Sequence, residues 1–378
     1  MIQRNFNVYD DKKKNVTLRN WLILAGVVLT AFAAFTFILN AGRSRGSTAT
    51  RLSCFTGQNV TPFGEYIVYY DGVSIHCLTH SGAAKWSQSI GAGASFSVGA
   101  HNITVWVNAR MYILNYEGVS TYQDTLNEMI QFARVGKRYA AAVIGPETAS
   151  TLIIRDLNGL QVDIETDAFR DAYILDVGFY GDQGQYLWVT LLDIYGTAAN
   201  TTLKTFEVGR KNTGESMLGE STPYRMLYDN DRLRAVTTRQ IRSYNYQGIE
   251  NTSEAALVYG WRLIDAEVPV RGDVAMLFVP TTQASSGGHI QELRYMTGSV
   301  DRRFTLPTAC AGAVIYGNTI YAVSSEYIYR AEYNAQRFTA YELPVRGRQV
   351  TQVIGSLEGG RILIACGDEV YAVTLPGA

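Results

Sequence analysis

The chain is predicted to be an all-β protein, an eight-bladed β-propeller preceded by a single transmembrane α-helix. Three observations lead there. Residues Trp21 to Leu39 form an uncharged apolar run; helical periodicity is scarce beyond it; and a strand-and-turn pattern recurs about every forty residues.

The apolar run reads WLILAGVVLTAFAAFTFIL. At about 1.5 Å per helical residue it covers the roughly 30 Å hydrocarbon core of a bilayer. A cleaved signal peptide would have a shorter apolar core and a small-x-small cleavage site after it. Here the run continues through Phe35, Phe37, Ile38 and Leu39, and the following NAGRSRG has no such site. Cys54 follows Leu52 and Ser53 as in a lipid-attachment site, but Arg51 stands where an aliphatic residue is wanted and the apolar run ends well before it. The expected anchor is therefore the helix itself, with Trp21, Phe32, Phe35, Phe37 and Leu39 among its bilayer-facing residues.

Basic residues near the ends set orientation. Arg4, Lys12, Lys13, Lys14 and Arg19 precede the run, whereas Arg43, Arg45 and Arg51 follow it. The bias favours a cytoplasmic N-terminus and an extracytoplasmic domain in the cell membrane. The expected organisation is a cytoplasmic tail over 1–20, the helix over 21–39, a Gly/Ser/Thr/Ala-rich linker over 40–51 and the propeller over 52–378.

Within the propeller region the third strand of each repeat is the most regular. The copies are SIHCL (74–78), MYILNY (111–116), LIIRDL (152–157), LKTFEV (203–208), IRSYNY (241–246), IQELRY (290–295), YIYRAEY (327–333) and EVYAV (369–373). A forty-residue period suits four strands per blade and exceeds what a sandwich requires. The last copy leaves no room for an outer strand before the chain ends, so Leu52 to Thr56 is expected to supply it and close the ring. A seven-bladed count is the alternative, because residues 209–256 are polar and weakly patterned.

The first repeat, YDGVSIHCLTHSGAAKW, runs as strand, Asp-Gly turn, strand, Gly turn and Trp. It resembles the quinoprotein (PQQ-like) and WD40-like propellers, and an uncharacterised family of N-terminally anchored propeller proteins of Gram-positive bacteria. The resemblance implies the fold over about residues 52–376. The Trp-Asp blade ending of WD40 repeats is absent, and so are the adjacent cysteines and regular tryptophans of quinone-dependent enzymes.

Beyond residue 51 there are 25 basic and 32 acidic side chains, a net charge of −7, which disfavours nucleic acid as a partner. Cys54, Cys77, Cys310 and Cys366 are scattered and read as buried thiols. His76 and His80 are too far apart along a strand for a shared metal. Asp163, Glu165 and Asp167 share one strand face and read as solvated, and Asp229 and Asp231 lack the closing Gly and distal Glu of a calcium loop. No nucleophile, zinc or phosphate-loop motif is present, and nothing calls for a cofactor. Enzyme activity stays open, with a noncatalytic role favoured.

Functional weight falls on three long connections between second and third strands, GPETAS (145–150), DIYGTAAN (193–200) and PTTQASSGG (280–288). Such connections emerge on one face of a propeller, and long loops on a rigid scaffold carry binding. Pro146, Glu147, Tyr195, Asn200, Thr281, Gln283 and His289 are the candidate contact residues. The expected function is a membrane-anchored extracytoplasmic scaffold for a protein or a cell-wall polymer. The alternative is an extracytoplasmic enzyme, a hydrolase, lyase or oxidoreductase, working in the central channel.

Overall fold

Short β-rich runs punctuated by glycine turns form thirty-two strands among the described residues, β1 to β32 in chain order. The computed structural model describes residues 47–378 apart from 167, 168, 170, 270, 271, 285–288 and 346. The expected anchor at 21–39 lies outside the described residues, and among those described no helix is long and apolar enough to cross a membrane.

The strands make eight four-stranded antiparallel sheets, and eight blades are what the third-strand pattern predicts. The innermost strands are β2 (Thr61–Phe63), β6 (Ser95–Val98), β10 (Ile130–Val135), β14 (Tyr173–Tyr180), β18 (Arg225–Asp229), β22 (Trp261–Glu267), β26 (Gly312–Tyr316) and β30 (Gln352–Leu357). The polar stretch that left the count open forms the outer strand of the fourth blade and most of the fifth. In the fifth blade Leu233, Ala235 and Ile241 carry the buried face despite the polar residues around them.

Closure is made by β1 (Ala49–Phe55), which pairs antiparallel with β32 (Glu369–Thr374) as the outer strand of the last blade. The strand begins three residues ahead of Leu52. Its side chains do more than complete an edge, because Leu52 and Cys54 are buried against Ile67, Tyr69 and Leu78 of the first blade and Leu363 and Val370 of the last. Arg51 pairs with Glu369 at 2.8 Å, and Glu369 also meets Arg348 and accepts from the Tyr371 hydroxyl at 2.8 Å.

The blades bury both faces against their neighbours, so inner and middle strands read as continuous apolar runs rather than alternations. Every residue of the strand Tyr139–Ile144 is buried. Eight buried clusters result, one between each neighbouring pair of blades. Between blades, the outer-strand residue of one packs onto a glycine turn of the next. Trp86 lies over Gly118, where a Cβ would stand 2.4 Å from the indole, and the Trp86 Nε1–H donates to the Tyr116 carbonyl at 3.2 Å. Tyr122 covers Gly159 in the same way, and a Cβ there would stand 2.0 Å from its ring. Both glycines have positive φ, 76° and 90°, so side-chain room and backbone conformation each demand glycine there.

These turns share one design. Asn115, Asp156 and Asn245 each accept two backbone N–H groups across the turn, from Glu117 and Val119, Asn158 and Leu160, and Gln247 and Ile249. The Asn/Asp-x-x-Gly spacing is thus an Asx turn, repeated at the same place in three blades.

Strand direction defines two faces. First-to-second and third-to-fourth strand turns lie on one, together with the start of β1 and the end of β32, and it is called the entry face. Second-to-third connections and the links between blades lie on the other, the loop face.

Replacing Gly159 by Leu is expected to cost about 2–4 kcal/mol, from the positive φ and the collision with Tyr122; urea unfolding of wild type and variant gives the difference. At the closure, Leu52→Asp should destabilise by roughly 3 kcal/mol or more, since it buries a charge without a partner. Arg51→Ala, with a side chain 56% exposed, should leave the urea midpoint almost unchanged.

Candidate functional site

The three long connections join second to third strands in the third, fourth and sixth blades, and all three therefore lie on the loop face. Residues 285–288 of the last fall outside the described residues. Pro146 and Glu147 are exposed, and their loop is tied down by Ser150, whose buried hydroxyl bonds back to the Pro146 and Glu147 carbonyls. Gln131 completes the tie, its amide donating to the Gly145 carbonyl and to Ser150 at 2.8 Å each. Tyr195 is 63% exposed, its N–H held by Asp193, while the Asn200 amide donates to the Ala198 carbonyl. Thr281 and Gln283 sit in a one-turn helix, Thr281–Ala284, and His289 is exposed beyond it. The Gln283 side-chain Oε1 accepts from the backbone N–H groups of Gln291 and Glu292. Met129 and Tyr259 on inter-blade links add exposed apolar surface to the same face.

At the loop-face mouth of the channel the inner strands of the fifth to eighth blades enclose a pocket of about 690 Å³. Its polar lining comprises Tyr224, Arg225, Arg262, Asp265, Gln283, Thr351 and Gln352, and its apolar lining includes Ile264, Val314 and Ile354. Of the seven contact residues expected from sequence, Gln283 alone lines this pocket; the other six stand on the face outside it.

Two features shape the cavity. β22 and β30 are each bulged, with Ile264 and Ile354 left without a cross-strand partner, which re-aims the following residues. The same irregularity occurs in β10 and β14, after Ile130 and Ile174. Close blade contact is the second, as a Cβ on Gly312 would stand 2.7 Å from Val353 and one on Gly355 3.0 Å from Pro62.

The bulge delivers Asp265 to the pocket wall. Its Oδ2 accepts the Ile315 N–H of the next blade at 2.7 Å. Burial pushes its carboxyl up to about 6, against the opposing pull of the Ile315 and Ala266 N–H groups; Glu267 raises it further and Arg225 lowers it. Arg225 and Arg262 lie on adjacent inner strands. Tyr224 ties those strand starts together, its hydroxyl accepting the Leu263 N–H at 2.9 Å. The arrangement presents two guanidinium groups, neutral amide and hydroxyl groups, and one carboxyl whose charge changes near neutral pH.

The remaining chemistry-bearing residues are structural. Asp229 is buried, receives Arg234 at 2.6 and 3.2 Å, and accepts the Val274 N–H of the next blade, so it joins the fifth and sixth blades. Asp231 accepts from the Tyr228 hydroxyl. Asp163 accepts the Gly209 N–H, which makes it a link to the fourth blade rather than a purely solvated side chain. His76 stacks on Tyr69 and pairs with Asp71 at 2.7 Å. All four cysteines are free and buried, and burial pushes Cys54 up to about 11 and Cys77 and Cys310 up to about 12. Among the described residues no group of three His, Cys, Asp or Glu side chains is placed to hold a metal ion.

Arg225, Arg262 and Asp265 were not foreseen from sequence. The available signal was a break in alternation, an apolar pair followed by a small or acidic residue: Leu263-Ile264-Asp265, Ile174-Leu175-Asp176 and Val353-Ile354-Gly355. In each the second apolar residue is the bulged one.

The protein is an eight-bladed β-propeller with an arginine-lined pocket at one mouth of its channel. Residues 46–258, more than half of the chain, match the model of a family of unknown function, DUF5711, and the chain belongs to that family. No curated protein matches its sequence. Among solved structures it is similar to BamB from Moraxella catarrhalis, with a TM-score of 0.52, 10% identity, and coverage of 87% of this chain and 96% of that one. It is also similar to a eukaryotic initiation factor, with a TM-score of 0.53, 10% identity, and coverage of 86% and 88%. At such identities the likeness is one of fold.

Because the Asp265 carboxyl holds its proton more tightly folded than at the ordinary value of 3.8, the native state binds more protons between about pH 4 and 6, and stability falls as pH rises through that window. Asp265→Asn should flatten this fall by about 1–3 kcal/mol, read from urea midpoints measured at pH 4, 5, 6 and 7.

Proposed function

We propose that this protein is a membrane-anchored extracytoplasmic scaffold that binds a protein or a cell-wall polymer on its loop face. One observation carries the reading: the three long connections and the channel-mouth pocket share one face, and the chain enters the propeller on the other. The exposed Tyr195, Tyr259 and Met129 are the kind of side chains that serve as interface anchors. The −7 charge of the residues beyond 51 argues against nucleic acid.

The second reading, an extracytoplasmic enzyme working in the channel, is favoured by Asp265, a carboxyl held near neutral pH beside two arginines. The two readings differ in what Asp265→Asn does: it abolishes turnover in an enzyme and leaves partner capture on a scaffold largely intact.

Crosslinking of the anchored protein in its native membrane, followed by affinity capture, tests the scaffold. Shortening 145–150 and 194–199 to two-residue turns should remove most captured partner while the propeller still folds. An unchanged set of partners would sink the assignment to this face.

A further inference from the structure

We infer that the channel-mouth pocket is a binding site for an oxyanion, a carboxylate or phosphate group of a larger ligand, held between Arg225 and Arg262. This refines the scaffold reading by naming the ligand chemistry at the loop face, and it rests on that face being the binding face.

Many arginines of this chain are held by carboxylates. Arg234 is spent on Asp229, Arg242 on Glu250, Arg294 on Asp301, Arg134 on Asp176, and Arg51 and Arg348 on Glu369. Arg302, in a groove at the outer rim, donates to the Tyr333 carbonyl. Arg225 and Arg262 have no ion-pair partner within 4 Å among the described residues, a trait shared by other arginines such as Arg303 and Arg337 of the outer-rim groove, but these two line the mouth of the channel. They stand together in a concave site of a domain with an excess of carboxylates. An acidic domain that leaves two guanidinium groups facing one cavity has left room for a negative group from outside, and guanidinium is the side chain best matched to carboxylate and phosphate.

The carboxyl of the pocket forms no ion pair within 4 Å with either, although Arg225 acts on it at longer range. Asp265 is turned to the Ile315 N–H, 2.7 Å away on the next blade. The neutral lining supports the same ligand class, because Gln352 brings amide N–H donors to the cavity, whereas the Thr351 hydroxyl donates to the Ala365 carbonyl. Size adds a limit. A volume of about 690 Å³ far exceeds a free ion and suits a group carried on a side chain or polymer unit.

The test is isothermal titration of the full chain in detergent with four probes: inorganic phosphate, glycerol 3-phosphate, acetate and N-acetylglutamate. Wild type should bind at least one phosphate or one carboxylate probe, and the larger probe of that pair more tightly; which pair binds distinguishes the two sources. Arg225→Gln and Arg262→Gln should each weaken binding by roughly tenfold, and Arg337→Gln, at the outer-rim groove, should leave it unchanged. Unliganded melting temperatures equal to wild type show that the variants are folded, and Arg262→Lys provides a milder variant should Arg262→Gln fail to fold. No binding of any probe by wild type would overturn the inference, as would equal losses in all three Gln variants. Anion binding without any captured partner would keep this site and sink the scaffold, whereas capture unaffected by the double Arg225→Gln/Arg262→Gln variant would do the reverse.

Discussion

The structure depends on the pairing of β1 with β32. A row of blades has two unpaired edges and two uncovered apolar faces, and each blade is too small to be stable alone. Taking the last blade's outer strand from the start of the domain removes both problems, since the same segment sends Leu52 and Cys54 into the interface between the last blade and the first. The eight inter-blade clusters then form an unbroken ring, and no blade can loosen without exposing a face of its neighbour.

The repeated turns follow from that ring. Blades wedge tightly only where the outer strand of one can approach the backbone of the next, and at Gly118 and Gly159 the approach leaves no space for a side chain. The Asn or Asp that opens each turn holds it with its own carboxylate or amide oxygen, so local hydrogen bonding and inter-blade packing select the same residues. The channel side has irregularities of its own. There the innermost strands have nothing to pair with at their free edge, and bulges in β10, β14, β22 and β30 are tolerated. In β22 that tolerance puts Asp265 on the wall of the pocket.

Packing and loop variation are therefore separated in space. Middle strands and glycine turns hold the ring, while the loop face carries the variable parts: connections of unequal length, exposed tyrosines and two arginines with no ion pair within 4 Å among the described residues. Buried charges such as the Asp229–Arg234 pair, by contrast, are satisfied across blade boundaries and tie the ring together.

What the sequence determined by itself was the repeat: eight third strands, the all-β class, the shared face of the long connections and the identity of the closing segment. These are local properties, set by period-two runs, by Asx-glycine turns and by a final repeat one strand short. Tertiary structure decided the rest. Arg225 is far in the chain from Arg262 and Asp265, and it meets them only because the ring brings the starts of β18 and β22 side by side and a bulge re-aims one carboxyl. Asp163, which reads as a solvated carboxylate, and Asp229, which lacks the pattern of a calcium ligand, became inter-blade links for the same reason: the partner that defines each lies on another blade, where no local pattern records it.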